Sequence, residues 1–317
     1  MAKSLQAVEI FNRSIYQTVA SALNQNVDLF NAATRGAIRM MKQDIQGSFQ
    51  ETAGLTLKDI VLFRDPTSTG AIAKSSFESV LDNTFKIGFS TKEIEYTYAK
   101  FDWIKQNPAM AGVIIGSAIA RETLKNSVEL AITSLTTVLK ADASVTTDIT
   151  SVGDGKVTWK SFVDASRPFG DQHDKIVAWV VNSAQLFDLF GSNLNNQNRL
   201  FQANNAVVYQ DPMGRPIIAT DLIELNGSNY NSLGLVSGAV VVGNMEDFRD
   251  NLVTKNGEAN LAASYQGEWS QTLNVKNHRF DTSQTPAITK AKIAQSSNWT
   301  KISADKKDQA GVLLVSK

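Results

Sequence analysis

The chain has 317 residues, with 31 lysines and arginines against 31 acids, so its formal charge is zero. A protein that grips nucleic acid through its phosphates carries a basic excess, because each contact neutralises one phosphate, and this composition shows no such excess. The absence of cysteine excludes disulfide frameworks, thiolate metal sites and cysteine nucleophiles. Charged residues make up 20%, below the ~25% usual for soluble domains, and Asn, Gln, Ser and Thr fill the gap. A surface with fewer charges is easier to bury against a neighbour. The length exceeds the ~100–200 residues of a typical domain, so one large or two interleaved domains are expected. Met1-Ala2-Lys3-Ser4-Leu5-Gln6 lacks the apolar stretch of a secretory signal. The most apolar run, Ala109 to Ala120, is bounded by Lys105 and Arg121 and is too short for the ~20 residues that cross a bilayer. These features predict a soluble protein made in a cytoplasm, with no membrane partner.

Residues 1 to about 50 are rich in Gln, Asn, Ala and Ser, with Val8, Phe11, Ile15 and Val19 at helical spacing. Two readings are open: an arm that lies on a neighbouring subunit, or a poorly ordered terminus. Ile60-Val61-Leu62-Phe63 reads as a strand, and Asp65-Pro66-Thr67-Ser68-Thr69-Gly70 as a turn. Phe85 to Phe89 and Glu93 to Tyr98 follow, and a long, partly detached hairpin fits the stretch. Asn107-Pro108 opens the clearest helix, since Asn favours the N-cap and Pro the first helical position. Val113, Ser117, Ala120, Leu124, Val128, Ala131, Leu135 and Val138 carry its apolar stripe to about Lys140. Gly112 and Gly116, four apart, allow another backbone to approach closely.

Gly153-Asp154-Gly155 predicts a hairpin turn. A helix over Trp159–Ala165, a strand over Ile176–Val181 and a helix over Ala184–Phe190 come next. Strands are predicted at Ala206–Tyr209, Ile217–Ala219 and Ala239–Val242, an alternation that favours a mixed α/β unit. Ala262–Trp269 and Gln271–Phe280 read as a strand pair. A helix from Pro286 to about Ser296 and a strand over Val312–Val315 close the chain.

Tests for chemistry mostly fail. Setting Gly155 at the sixth position of a calcium loop puts Thr150, Val152 and Ser161 where carboxylates are needed, so a plain turn is the better reading. His173 and His278 lie about a hundred residues apart without metal-ligand spacing, and His173 in Gly170-Asp171-Gln172-His173-Asp174 reads as a solvated loop. Gly214 in Asp211-Pro212-Met213-Gly214-Arg215 is a turn glycine. Trp269 and Trp299 are read as core or interface residues rather than a ligand pocket. Lys290, Lys292, Lys301, Lys306 and Lys307, interleaved with Asp305 and Asp308, form a solvated face. No phosphate loop or nucleophile elbow is present. The expectation is no catalytic, cofactor-binding or metal residue, no cofactor, and no enzymatic activity.

Four peptides, read in order, carry a resemblance. They are Trp179-Val180-Val181-Asn182-Ser183 with Leu186-Phe187-Asp188-Leu189-Phe190-Gly191; Asp211-Pro212-Met213-Gly214-Arg215-Pro216 with Ile217-Ile218-Ala219-Thr220-Asp221; Leu233-Gly234-Leu235-Val236-Ser237-Gly238-Ala239; and Tyr265-Gln266-Gly267-Glu268-Trp269-Ser270. Leu29 to Ala33, Trp103 to Pro108, Ser297-Asn298-Trp299 and Lys307 to Val312 extend it over nearly the whole chain. The chain resembles tailed-phage major capsid proteins of the Hong Kong 97 fold, an α+β fold. That resemblance implies an N-terminal arm (1–54), an E-loop built as an extended β-hairpin (55–100), and a P-domain (101–157 and 243–285) with its spine helix over about 108–140. It implies an A-domain over 158–242 and 286–317. Thr34-Arg35-Gly36 departs from the small, glycine-rich stretch of the family.

The implied function is self-assembly through pentamers and hexamers into an icosahedral shell around double-stranded DNA, formed in the host cytoplasm. Implied partners are other copies of the chain, a portal protein at one vertex, a separate scaffolding protein, decoration proteins, and DNA enclosed without sequence-specific contacts. Two alternatives remain at this level: an encapsulin-like shell around a protein cargo, and a soluble α/β enzyme.

Overall fold

The computed structural model describes residues 2–56, 67, 70–71, 78–97, 106–190, 201–203, 206–211, 213–223, 225, 227–255, 262–285 and 287–317. Helix α1 spans Ala2–Ala33 and helix α2 spans Pro108–Ala141. Between them lie strands β1 (Ile38–Lys42), β2 (Phe49–Thr56), β3 (Glu78–Ser90) and β4 (Ile94–Thr97). The next stretch holds β5 (Thr146–Asp148), α3 (Trp159–Ala165), a 3₁₀ segment (Arg167–Lys175), β6 (Ile176–Val181) and α4 (Ser183–Phe190). Strands β7 (Phe201–Ala203), β8 (Ala206–Gln210), β9 (Pro216–Ala219), β10 (Tyr230–Val236) and β11 (Val240–Asn244) follow. The chain closes with β12 (Arg249–Lys255), β13 (Ala262–Val275), β14 (His278–Phe280), α5 (Lys290–Ile293), β15 (Trp299–Lys301) and β16 (Gly311–Ser316).

These strands form two sheets. The first is organised on β13, which pairs antiparallel with β11 and β12 on one side and with β3 and β4 on the other. β1 extends it beyond β11, β2 beyond β3, and β14 and β15 continue from the end of β13. The gap between β11 and β12 is filled by Met245, whose N–H donates to the Ser270 carbonyl, and by Asp247, whose carboxylate accepts from the Ser270 N–H at 2.8 Å. On the opposite side Thr91 donates its N–H to the Gly267 carbonyl, and its Oγ1 accepts from the Gly267 N–H at 2.9 Å. Buried backbone groups that lose water need such replacements. The second sheet has the order β5-β16-β10-β6-β9-β8-β7, with β6–β9 and β5–β16 parallel and the rest antiparallel.

Helix α2 starts where Asn107-Pro108 predicts and runs 34 residues, or ~51 Å at 1.5 Å per residue. Asn107 occupies the N-cap position without a side-chain capping bond, so proline at the first turn marks the start. The stripe holds from Ala120 to Val138, while Val113 is exposed and Ser117 half-buried. Around the first turns the buried line runs instead through Ala111, Gly112, Gly116 and Ile119. From Ser127 nearly every position is buried, because both sheets close on the helix there.

The N-terminal segment carries its helical spacing further than Val8 to Val19. It is one 32-residue helix packed on its own chain. The apolar spacing continues past Val19 through Leu23, Val27 and Phe30, and Phe11, Ile15, Val19, Val27 and Phe30 are buried. Each such side chain is worth about 1.5–3 kcal/mol relative to exposure. α1 runs in the same direction as α2 and seats against its two glycines. A Cβ on Gly112 would lie 2.7 Å from Ser14 Cβ and 2.8 Å from the Phe11 carbonyl oxygen; on Gly116, 2.9 Å from the Ile15 carbonyl oxygen. Ser14 Oγ also donates to the Ala109 carbonyl at 2.9 Å.

Other expectations shift locally. Gly153-Asp154-Gly155 is a turn with φ 61° and 76° at its glycines, yet it leads from β5 into α3 and closes no hairpin. Ala262–Trp269 and Gln271–Phe280 do not pair with each other: 262–275 is one continuous strand, and only His278–Phe280 folds back, at Asn277 (φ 62°). The helix expected over Pro286–Ser296 shrinks to Lys290–Ile293, capped by Thr289, with a 3₁₀ turn after it. The Ile60–Phe63 strand and most of the Asp65–Gly70 turn lie outside the described residues.

Gly116→Val is expected to lower stability by about 1–3 kcal/mol through overpacking against Ile15 and Thr18. Ala118→Val, on the exposed side of the same turn, should stay within ~0.5 kcal/mol. Urea denaturation midpoints distinguish the two.

Candidate assembly surfaces

The base of the β2–β3 hairpin is fastened by a buried clamp. Asn83 Nδ2 donates to the Phe280 carbonyl at 2.7 Å, and Asn83 Oδ1 accepts from the Phe280 N–H at 3.0 Å. Asn274 Nδ2 donates to the Asn83 carbonyl at 3.1 Å. Burial pushes the neighbouring Asp82 carboxyl up, opposed in part by Asn274. Behind the clamp Phe85 stacks on Phe280 at 4.4 Å between centroids, and Trp299 meets Phe280 edge-on at 5.0 Å. The indole N–H of Trp299 donates to the Ile293 carbonyl, which anchors α5 to the same cluster. Glu51 on β2 pairs with Arg279 on β14 at the rim, and Lys86 on β3 with Asp247 at 3.0 Å. The hairpin is thus rigid where it leaves the sheet.

The second sheet is packed around Trp179. Its indole lies across β10 because Gly234 has no side chain: a Cβ there would sit 2.7 Å from Trp179 Cη2. Phe162 packs on it at 4.5 Å and the Arg215 guanidinium at 5.7 Å. Arg215 forms a buried ion pair with Asp211 at 2.7 Å, and Asp211 Oδ1 also accepts from the Met213 and Arg215 N–H groups. The Asp211–Pro216 peptide is therefore a charged turn folded over an aromatic core. Gln185 at the start of α4 accepts from the Asn182 N–H and Ser232 Oγ, and donates to Ser316 Oγ, joining α4 to β10 and β16.

The two halves meet at the end of α1. Asn31 exchanges hydrogen bonds with Met40 at 2.6 and 2.8 Å, and the corner between them turns on Arg35 (φ 49°) and Gly36 (φ 69°). Arginine rarely holds a left-handed φ. Here its Nη2 donates to the Gly214 carbonyl at 2.6 Å, tying the corner to the Asp211–Pro216 turn. So Thr34-Arg35-Gly36, which departs from a glycine-rich stretch, makes a side-chain bridge that glycine lacks.

The residues considered for chemistry are dispersed. Asp154 Oδ1 accepts from the Lys156 N–H, an ordinary turn contact. His173 is exposed, with Nδ1 at 3.2 Å from the Gly170 carbonyl. His278 is buried on β14, donating to the Lys276 carbonyl at 3.1 Å, far in sequence and role from His173. The lysine face is laced by ion pairs: Lys290 with Glu129, Lys301 with Asp142 and Lys307 with Asp171. Trp269 stacks between Phe89 and Phe248 as a packing residue. Among the described residues no group of three or more His, Asp or Glu side chains could hold a metal ion. The Asn83 clamp and the Arg35 bridge have no sequence signature, because each joins segments more than 170 residues apart.

The architecture is the Hong Kong 97-type capsid fold. The head structure of Helicobacter pylori bacteriophage KHP40 matches with a TM-score of 0.50 at 9% identity, over 90% of this chain and 88% of that one. The Cyanophage Pam1 capsid asymmetric unit gives 0.48 at 9%, over 88% and 87%; Mycobacterium phage Bobi gives 0.47 at 10%, over 89% of each. The fold assignment rests on the KHP40 head. No curated protein matches the sequence. The Gp13-like family, described as major capsid protein 13-like, matches residues 7–313, and the chain belongs to that family. It is a major capsid protein, a structural component of the virion shell and not an enzyme.

Asn83→Ala strands the Phe280 backbone groups and is expected to cost about 1–3 kcal/mol, with faster protease cleavage in the β2–β3 hairpin as the second readout. His278 gives a pH prediction. Burial holds its pKa below the usual 6.5, helped by Lys301 and opposed by the Lys276 carbonyl and Asp142. The unfolded chain therefore binds the extra proton first, and stability falls as pH drops below 6.5. The urea midpoint should decrease from pH 7.5 to pH 5, and His278→Gln should flatten that decrease.

Proposed function

We propose that the chain assembles through pentamers and hexamers into an icosahedral shell that encloses double-stranded DNA. The observation that supports this most is the distribution of large exposed apolar side chains. They occur on α1 (Tyr16, Leu29), on α2 (Met110, Ile114), at the hairpin base (Phe49) and on β12 (Val253). Others lie around the second sheet, at Val163, Phe187 and Met213. A ligand site would gather them in one concavity, whereas a subunit with neighbours on several sides spreads them. Weak contacts repeated around a closed shell then sum to a stable whole.

In this reading residues 1–54 are the N-terminal arm, 55–100 the E-loop, 101–157 with 243–285 the P-domain, and 158–242 with 286–317 the A-domain. The two-sheet division supports the last two, except that β5 joins the second sheet while β15 and Val240–Val242 of β11 join the first. The A-domain would line capsomer centres, while the P-domain sheet and α2 make the local three-fold contacts. A portal protein at one vertex, a separate scaffolding protein and decoration proteins complete the partners, and assembly takes place in the host cytoplasm. Zero net charge supports DNA that is enclosed, with mobile cations balancing its phosphates, rather than gripped.

Electron microscopy of the chain expressed alone, and with its genomic neighbours, tests the reading. Closed uniform shells under either condition are expected. Small discrete oligomers under both would overturn it, and shells packed with a protein cargo would overturn the DNA assignment.

A further inference from the structure

Helix α1 packs against α2, β1 of the first sheet and β7 of the second, and leaves an outer line to solvent. Ile10, Arg13, Gln17, Ser21, Asn24 and Asp28 are all exposed and recur at spacings of three and four, the outermost line of the helix. Of these six, only Arg13 and Asp28 are charged. Among the described residues neither has an ion-pair partner within the chain. Their order is palindromic in chemistry. A two-fold axis crossing the helix between Ala20 and Ser21 sets Arg13 opposite Asp28 of the partner subunit. The same axis sets Gln17 opposite Asn24 of the partner subunit, and the reciprocal pairs follow by symmetry. At the axis stands the exposed Ser21, small enough for two helices to cross closely, with the half-buried Ala20 beside it.

We propose that the outward face of α1 is a two-fold contact between neighbouring copies of this chain, held by reciprocal Arg13–Asp28 ion pairs and Gln17–Asn24 amide hydrogen bonds around a crossing at Ser21. A two-fold interface must be self-complementary, since the same patch supplies both sides. Parallel pairing of the same stripe would instead set Arg13 against Arg13 and Asp28 against Asp28, so the charges also fix the direction. Ile10 and Ala32 flank the charged positions at the ends of the contact. Exposed ion pairs are individually worth only about 0–1 kcal/mol. Such a contact is weak in one pair of subunits and gains through repetition over a shell. This inference rests on the self-assembly reading above.

The chain has no cysteine of its own, so a single introduced one reports its own position. Ser21→Cys shells, oxidised after assembly, should give a covalent dimer at twice the subunit mass. Arg13→Cys lies ~11 Å along the helix from the axis, hence ~22 Å from its own copy, well beyond disulfide reach, and should stay monomeric. In the Ser21→Cys background, R13E alone should reduce the dimer, and R13E with D28R should restore it, because the pairs re-form with signs exchanged. Circular-dichroism melts of each variant separate these effects from unfolding. Wild-type shells with no Ser21→Cys dimer, equal cross-linking at both positions, or no rescue by the charge exchange would each overturn the two-fold contact. Failure of the wild-type chain to form shells at all would instead overturn the assembly reading.

Discussion

The first sheet depends on one strand being paired on both sides along its length. β13 is 14 residues long and lies at the centre of the sheet, where water cannot serve its backbone. No single neighbour spans it, so each side is shared by two shorter strands, and each junction leaves a step. The steps are closed by Met245 with Asp247 on one side and by Thr91 on the other. Asp247 also holds Lys86, and its carboxyl is kept below the usual range by Ser270 and Lys86 despite the upward push of burial. The ladder junction and the hairpin's rim contact are therefore one feature. Loss of that carboxylate would expose a backbone N–H and release β3 together.

The long helix inherits its environment from this arrangement. Gln271 on β13 donates to Ser127 Oγ at 2.7 Å and to Asn244 Oδ1 at 2.9 Å, so strand, helix and β11 are fixed at one point. Beyond that point α2 leaves the α1 groove and enters the core shared by both sheets. Its first half is thus a platform for α1 and its second half a buried axle. Small and hydroxylated residues suit the second role: Ser127, Thr133 and Ser134 are buried there, and Ser127 and Ser134 return hydrogen bonds to carbonyls of their own helix. A leucine-only helix would pack as much apolar surface but would leave no room for Gln271.

Legibility in the sequence follows the range of the interaction. Elements set by local signals were readable: Asn107-Pro108 for α2 and the β-branched run of β6. The two glycines of α2 announced a close approach without naming the partner, because the α1 stripe beyond Val19 is diluted by Asn, Gln and Ala. The single strand over 262–275 was misread as two, since Gly267 and the polar pair Ser270-Gln271 imitate a turn; pairing on both sides overrides that weak local signal. The clamp at Asn83 and the bridge at Arg35 were unreadable for a different reason. The clamp satisfies Phe280 backbone groups that only the finished fold desolvates, and the bridge is an exposed contact between segments 179 residues apart.

These long-range polar contacts share a geometry that bears on assembly. The Asn83 clamp holds the hairpin where it departs, the Arg35 bridge holds the corner where α1 departs, and Gln185 holds α4 to the second sheet. In each case the fastening lies at the root of an element that carries exposed apolar residues: Phe49 at the hairpin base, Tyr16 and Leu29 on α1, and Phe187 on α4. Rigid roots reduce the entropy that must be lost when the projecting surface meets a neighbour. A subunit that must fit several partners at once gains more from fixed directions than from sticky surfaces, because one misdirected contact prevents the shell from closing. That division of labour explains why the strongest contacts in this chain are internal and its outer faces are weakly apolar and sparsely charged.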